Sequence, residues 1–230
     1  MKILSNHPDL LVQYKPGRGG LKDNFKRPVN EFYKLASGND ENHVLFVQDT
    51  SNSWMNGQGI AEAICETIEA LCSKLEIARI VTLGNSMGGT MALLITQHMA
   101  IDAAIAIAPQ FFVDPAIVPD DKRWMEDRER IKKFRYPDVS GVPFEKTRTT
   151  VMHGAQKEDG QHALLFPKNP NLTHFIFPDY GHGLASALHK EGKLAAIVTY
   201  AIAIRPRRTR QALAAAGGVR RLRFEAQGTN

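Results

Sequence analysis

The chain predicts an α/β fold, a doubly wound and mostly parallel sheet with helices on both faces, and three observations carry that expectation. Compact aliphatic and β-branched runs recur at 44–47, 80–83, 103–108, 149–152 and 172–178, each suited to a buried strand of a parallel sheet. Segments of helical period separate them, as a right-handed crossover requires. The motifs G-N-S-M-G, H-G-A-Q-K-E-D and Y-G-H-G stand at strand ends, where an open parallel sheet keeps its binding crevice. At 230 residues the chain is long enough for one sizeable core and short for two. The expected organisation is one domain over 1–204, with 110–146 a small insertion after the strand at 103–108, and an arginine-rich tail over 205–230.

Taken in order, Leu10 to Tyr14 reads as a first strand and Lys15 to Gly20 as a loop. That loop lacks the lysine and Ser/Thr at the spacing a phosphate cradle needs. Residues 24–42 read as irregular, with Gly38, Asn39, Asp40 and Asn42 as turn formers. Val44 to Val47 suits a fully buried strand, and Gln48 to Gly57 is the loop at its carboxyl end. Ile60 to Leu75 repeats apolar residues at helical period with acids opposite, a crossover helix. Its Cys65 and Cys72 lie about two turns apart, too far for a disulfide, and read as small buried hydrophobes of a reducing compartment.

The next strand, Ile80 to Leu83, enters Gly84-Asn85-Ser86-Met87-Gly88, and Thr90 to Ala100 leaves it as a helix. A serine on such a turn is lifted clear of the sheet; glycine fits where strand and helix crowd together. The N–H of Met87 falls at the helix start, where unpaired donors and the helix dipole favour a developing oxyanion.

After Ala103 to Ala108 comes the insertion, whose charge-dense run Asp120 to Lys133 reads as a solvated surface helix, with a lid over the site as the sharper alternative. Trp54, Met55, Phe111, Phe112 and Trp124 are the candidates to line a pocket. Thr149 to Met152 and Leu172 to Pro178 are further strands; Asp179 to Gly183 is a turn, and Leu184 to Ile204 the closing helix. The tail holds seven arginines against one acid, Glu225, and so accounts for the net charge of +5. It reads as a flexible, solvated extension able to meet an anionic partner, while the domain itself offers no basic surface for nucleic acid. No membrane span and no N-terminal apolar leader is visible, and a cytoplasmic location is expected.

A serine hydroxyl needs a base, and the base needs a carboxylate to hold its tautomer. The order G-N-S-M-G, then the strand-end H-G-A-Q-K-E-D, then Y-G-H-G resembles the α/β-hydrolase superfamily over about residues 40–204. The resemblance implies Ser86 as nucleophile and His182 as general base. It implies an acid three positions after Gly154, where this chain has Lys157; Asp159 is the first substitute, with Glu158 and Asp114 as alternatives. Met87, with Thr50 or Ser51 from the loop after the neighbouring strand, would bind the oxyanion. The implied activity is that of a serine hydrolase cleaving an ester, thioester or similar acyl bond of a small molecule through an acyl-enzyme, with no metal and no cofactor. An acyltransferase with the same residues, or a non-catalytic binding protein on this fold, are the rival readings.

Overall fold

A computed structural model describes residues 10–16, 33–38 and 41–227. The elements in chain order are β1 (Leu10–Pro16), α1 (Tyr33–Ser37), β2 (His43–Asp49), α2 (Ile60–Lys74), β3 (Ile80–Asn85), α3 (Met87–Leu94), β4 (Ala103–Ile107), α4 (Met125–Arg128), β5 (Arg148–Gly154), α5 (Lys157–Leu165), β6 (Leu172–Phe177), α6 (Leu184–Lys190), α7 (Leu194–Ile202), α8 (Pro206–Ala215), β7 (Val219–Arg220) and α9 (Arg221–Gln227). The strands form one seven-stranded sheet in the order β2-β1-β3-β4-β5-β6-β7. Every neighbouring pair is parallel except β6 with β7. None of the described helices is long and apolar enough to cross a membrane.

Two apolar clusters cover the two faces. On one, Ile64 and Ile68 of α2 and Met91 to Leu94 of α3 pack with Val12, Ala104 and Val151. On the other, Leu188 of α6, Ile197 and Val198 of α7 and Leu213 of α8 pack on Val81, Ile105 and Phe175. The alternation of these strand residues between clusters follows from the two-residue period of a strand.

Four expectations are corrected. The strand at 44–47 is half-buried, not fully buried, because β2 is the sheet edge; β1 lies between it and β3. Gly192, at φ 70°, breaks the expected closing helix into α6 and α7, so that each can lay a short apolar face on the sheet. The run 120–133 contains only the single turn α4, and it buries Asp121, Asp127 and Arg128, so it is not a solvated helix.

The arginine-rich segment, lastly, is not a free tail through residue 227. Pro206 opens α8, which buries Thr209 and Leu213, and β7 then pairs antiparallel with β6 through Val219 opposite Ile176 and Arg220 opposite Phe175. The segment covers the exposed edge of β6. A sparse apolar stripe docks it while most of the arginines stay in water.

Candidate active site

Ser86 sits between β3 and α3 at φ 56°, ψ −125°, a conformation that β-branched or bulky residues avoid. Sequence explains why the turn can close. A Cβ on Gly84 would lie 2.0 Å from the carbonyl oxygen of Gly88, so only glycine permits the strand and the helix to cross this tightly. The N–H of Ser86 donates to the Ile107 carbonyl at 2.8 Å, which ties the turn to β4. Met87 opens α3, and its N–H is one of the first-turn donors that have no acceptor within the helix.

The structure brings Ser86, His182 and Asp159 together from three separate segments. Ser86 Oγ lies 2.8 Å from His182 Nε2. His182 Nδ1 lies 3.0 Å and 3.2 Å from the two oxygens of Asp159. A carboxylate that accepts from Nδ1–H leaves the lone pair on Nε2, the tautomer that can take a proton from the serine. Asp159 is in the first turn of α5, where the helix dipole favours an anion. The β5–α5 corner reaches the His182 turn because Gly154 has no side chain; a Cβ there would meet the Tyr180 carbonyl at 2.2 Å. Glu158 is half-buried beside Asp159, and Asp114 closes its own turn by accepting from Ala116 N–H at 2.9 Å.

Sequence reasoning missed the residues that hold this row in place. Arg123, from the insertion, donates through Nη1 to Asp159 Oδ1 at 2.5 Å, and the same nitrogen is 3.0 Å from His182 Nδ1. Its Nε and Nη2 grip Asp121 at 2.8 Å and 2.9 Å. His162 Nδ1 accepts from the Phe111 N–H at 3.1 Å, so the proton of this ring is on Nε2 and is donated to Asp121 at 2.9 Å. His162, three residues after Asp159 in sequence, thus serves the other carboxylate. Burial works to raise the pKa of Asp159, but hydrogen bonds and charge from His182 and Arg123 outweigh it and hold the group below the usual carboxylate range. The same contest at Asp121, with His162 and Arg123 as partners, leaves that group lower still. Arg123, half-buried but flanked by both carboxylates, is pushed above its ordinary value.

A second missed residue is Gln110. Trp54 Nε1–H donates to Gln110 Oε1 at 3.2 Å, and since indole nitrogen only donates, the amide must face the other way round toward the serine. Gln110 Nε2 donates to Ser86 Oγ at 3.3 Å.

The remaining candidates are placed differently. Thr50 and Ser51 are exposed after the edge strand, and the Ser51 N–H already donates to Asp49 Oδ1 at 3.0 Å. The strand next to β3 is β1, and the segment leaving it, 17–32, lies outside the described residues. Trp54, Met55 and Phe111 belong to the core; Phe112 and Trp124 are half-buried against it. Phe111 stacks edge-on with Phe112 and Phe166 at 4.9 Å and 5.1 Å. Left-handed backbone clusters here, at Trp54, Met55, Ala108 and Trp124 besides Ser86.

No protein-family model and no curated protein matches this sequence. Solved structures do. The chain is similar to the acylaminoacyl peptidase of Pyrococcus horikoshii, with TM-score 0.60 and 15% identity over 84% of this chain and 36% of that one. It is similar to a putative dipeptidyl aminopeptidase IV from Bacteroides ovatus, with TM-score 0.60 and 14% identity over 86% of this chain and 31% of that one. It is also similar to a 2,6-dihydroxy-pseudo-oxynicotine hydrolase, with TM-score 0.53 and 16% identity over 85% and 61%. The chain thus spans about a third of the two peptidase structures. Sheet order, crossover pattern and these neighbours give it the α/β-hydrolase fold.

Proposed function

On this α/β-hydrolase fold, we propose that the protein is a serine hydrolase that cleaves an ester, thioester or similar acyl bond through an acyl-enzyme on Ser86. The observation that supports it is one contiguous row: Ser86 Oγ at 2.8 Å from His182 Nε2, and His182 Nδ1 at 3.0 Å from Asp159. His182 takes the serine proton as Oγ attacks the acyl carbon, then gives it to the leaving group; water repeats the sequence to free the acid. Asp159 holds the ring tautomer and offsets the charge the imidazolium gains. Met87 N–H supports the oxyanion, and Gln110 Nε2 steadies the hydroxyl before attack. Peptide-bond cleavage is the second reading, favoured by the two peptidases among the structural neighbours. An acyltransferase would use the same residues with an alcohol or amine in place of water.

Labelling with a fluorophosphonate probe, wild type beside Ser86→Ala and His182→Ala, tests the proposal. Wild type is expected to label and both variants to stay silent; a folded wild type that neither labels nor turns over short p-nitrophenyl esters would overturn it. Parallel assays on peptide nitroanilides separate the ester and peptide readings.

A further inference from the structure

Far from Ser86, where α8, β7 and α9 close over β6, lies a cavity of about 360 Å³. Its walls include Leu172, Thr173 and His174 from the amino-terminal half of β6, whereas Ser86 follows the carboxyl end of the parallel β3, so the two sites face opposite edges of the sheet. Lys168, Arg210, Arg220 and Arg221 also line it. Two of these cations are already engaged. Arg221 donates to the carbonyls of Phe166 and Leu164 and to Glu225, and Lys168 lies 3.3 Å from Glu225. Among the described residues, the side chains of Arg210 and Arg220 have no hydrogen-bond or ion-pair partner.

His174 adds a second, independent feature. It is 7% exposed, and its Nδ1 is buried without a partner. The chemical character of that atom follows from its neighbours. His153 Nε2 is 2.9 Å from the Pro109 carbonyl, which can only accept, so the proton of His153 is on Nε2 and its Nδ1 is an acceptor. His174 Nε2, 3.0 Å from that acceptor, must therefore carry the proton of its own ring. His174 Nδ1 is left as a lone pair in need of a donor. Burial and the nearby Arg221 both keep the ring neutral. Such an unmet buried acceptor costs free energy unless something fills it.

We propose that this cavity binds a small phosphate monoester of a polyhydroxyl compound, with the phosphate held by Arg210 and Arg220 and one ligand hydroxyl donated to His174 Nδ1. A phosphate dianion matches the planar donor fork of arginine. An inorganic phosphate seated on the arginines brings no polyol hydroxyl to the histidine, and a neutral polyol leaves the arginines unmet. The volume is in the range of small-ligand sites. The site does not rest on the hydrolase reading, since none of its residues belongs to the row at Ser86.

Calorimetric titration of the full chain with inositol monophosphate, inorganic phosphate and inositol tests it, alongside flotation with phosphatidylcholine vesicles with and without phosphatidylinositol monophosphate. Inositol monophosphate is expected to bind, inorganic phosphate at least about tenfold more weakly, and inositol not measurably. Arg210→Gln and Arg220→Gln are each expected to weaken binding about tenfold while the melting temperature holds. The ring-nitrogen NMR signal of His174 Nδ1 should move on binding, as an acceptor gains its donor. Binding in solution identifies a free metabolite as the source, and binding confined to the lipid-doped vesicles identifies a membrane headgroup. Absence of both at millimolar ligand, or binding indifferent to both arginine variants and to His174, would overturn the assignment.

Discussion

Two polar groupings, one fully buried and one partly open, flank the carboxyl-terminal half of the sheet, and they are built from the same residue type with opposite outcomes. His153 and His174 sit on β5 and β6 beside Phe166, at ring separations of 5.3 Å each. With no carboxylate in contact, burial decides, and the pKa of His153 falls to about 4. His182 and His162 are held instead by Asp159 and Asp121, with Arg123 between the two carboxylates. Burial alone makes a histidine an inert neutral ring. A carboxylate at a fixed hydrogen bond holds the ring in one tautomer instead, both at buried His162 and at His182, whose side chain is 34% exposed, and the arginine keeps two adjacent carboxylates ionised.

Removing the carboxylate from one side of this comparison should have the largest effect. Asp159→Asn leaves the shape of the row intact but no longer selects the Nδ1–H tautomer, and the expected loss in kcat is about 10⁴-fold. Burst kinetics with an activated ester check it. An unchanged rate would assign the acid to another residue, with Glu158 the next to test.

Taking away the cation comes next. Arg123→Met leaves Asp121 and Asp159 buried with no arginine, and Arg123 itself is 18% exposed. Breaking such a pair from one side is expected to cost about 3 kcal/mol by urea titration. Arg123 also helps hold Asp159 below the usual carboxylate range, so the acid limb of the kcat/KM profile should move to higher pH in the variant. A variant that loses stability with no movement of that limb would confine Arg123 to a structural part.

The charge-free pair predicts a pH effect of its own. His153 is held near 4 in the folded chain against 6.5 for a free ring. Between those values the unfolded chain binds more protons, so stability falls as pH drops through that window, by about 3 kcal/mol across it. Asp159 has a lowered pKa and contributes stability that is lost only as pH falls through its folded value, below most of this range. Urea midpoints from pH 7 down to about 5 therefore isolate the histidines. A flat profile would mean that the folded rings take up protons as readily as the unfolded ones, and that burial does not keep the pair neutral.

The comparison also explains what could be read without coordinates. Aliphatic strand runs and the G-N-S-M-G turn are local signals, and so they placed β2 to β6, Ser86 and the turn bearing His182. The alternation that buries Ile105 on one face and Ala104 on the other is equally local. The position of β2 at the edge is not, because Val44 to Val47 has the composition of a central strand, and that is why Thr50 and Ser51 were matched to the wrong neighbour of β3. Asp121 and Arg123 stand among charges that look solvated, and their burial depends on partners 41 and 36 residues away, His162 and Asp159. In the arginine-rich segment seven cations hide the stripe of Thr209, Leu213 and Ala216 that docks it.

Gln110 gives the smallest predicted effect and the finest test of the comparison, since it joins the row through a neutral hydrogen bond. Its amide is aimed by Trp54 and by Thr90, whose hydroxyl also accepts the Gln110 N–H at 2.9 Å. Gln110→Leu keeps the volume and removes the donor to Ser86 Oγ, so the expected loss in kcat is about fivefold, the equivalent of one neutral hydrogen bond. Trp54→Phe leaves Gln110 in place but frees its amide to turn, and should reproduce part of that loss with KM unchanged. If the Gln110 variant lost a hundredfold or more, the amide would be acting on the transition-state oxygen and not on the resting hydroxyl, and the oxyanion site would have to be redrawn to include it.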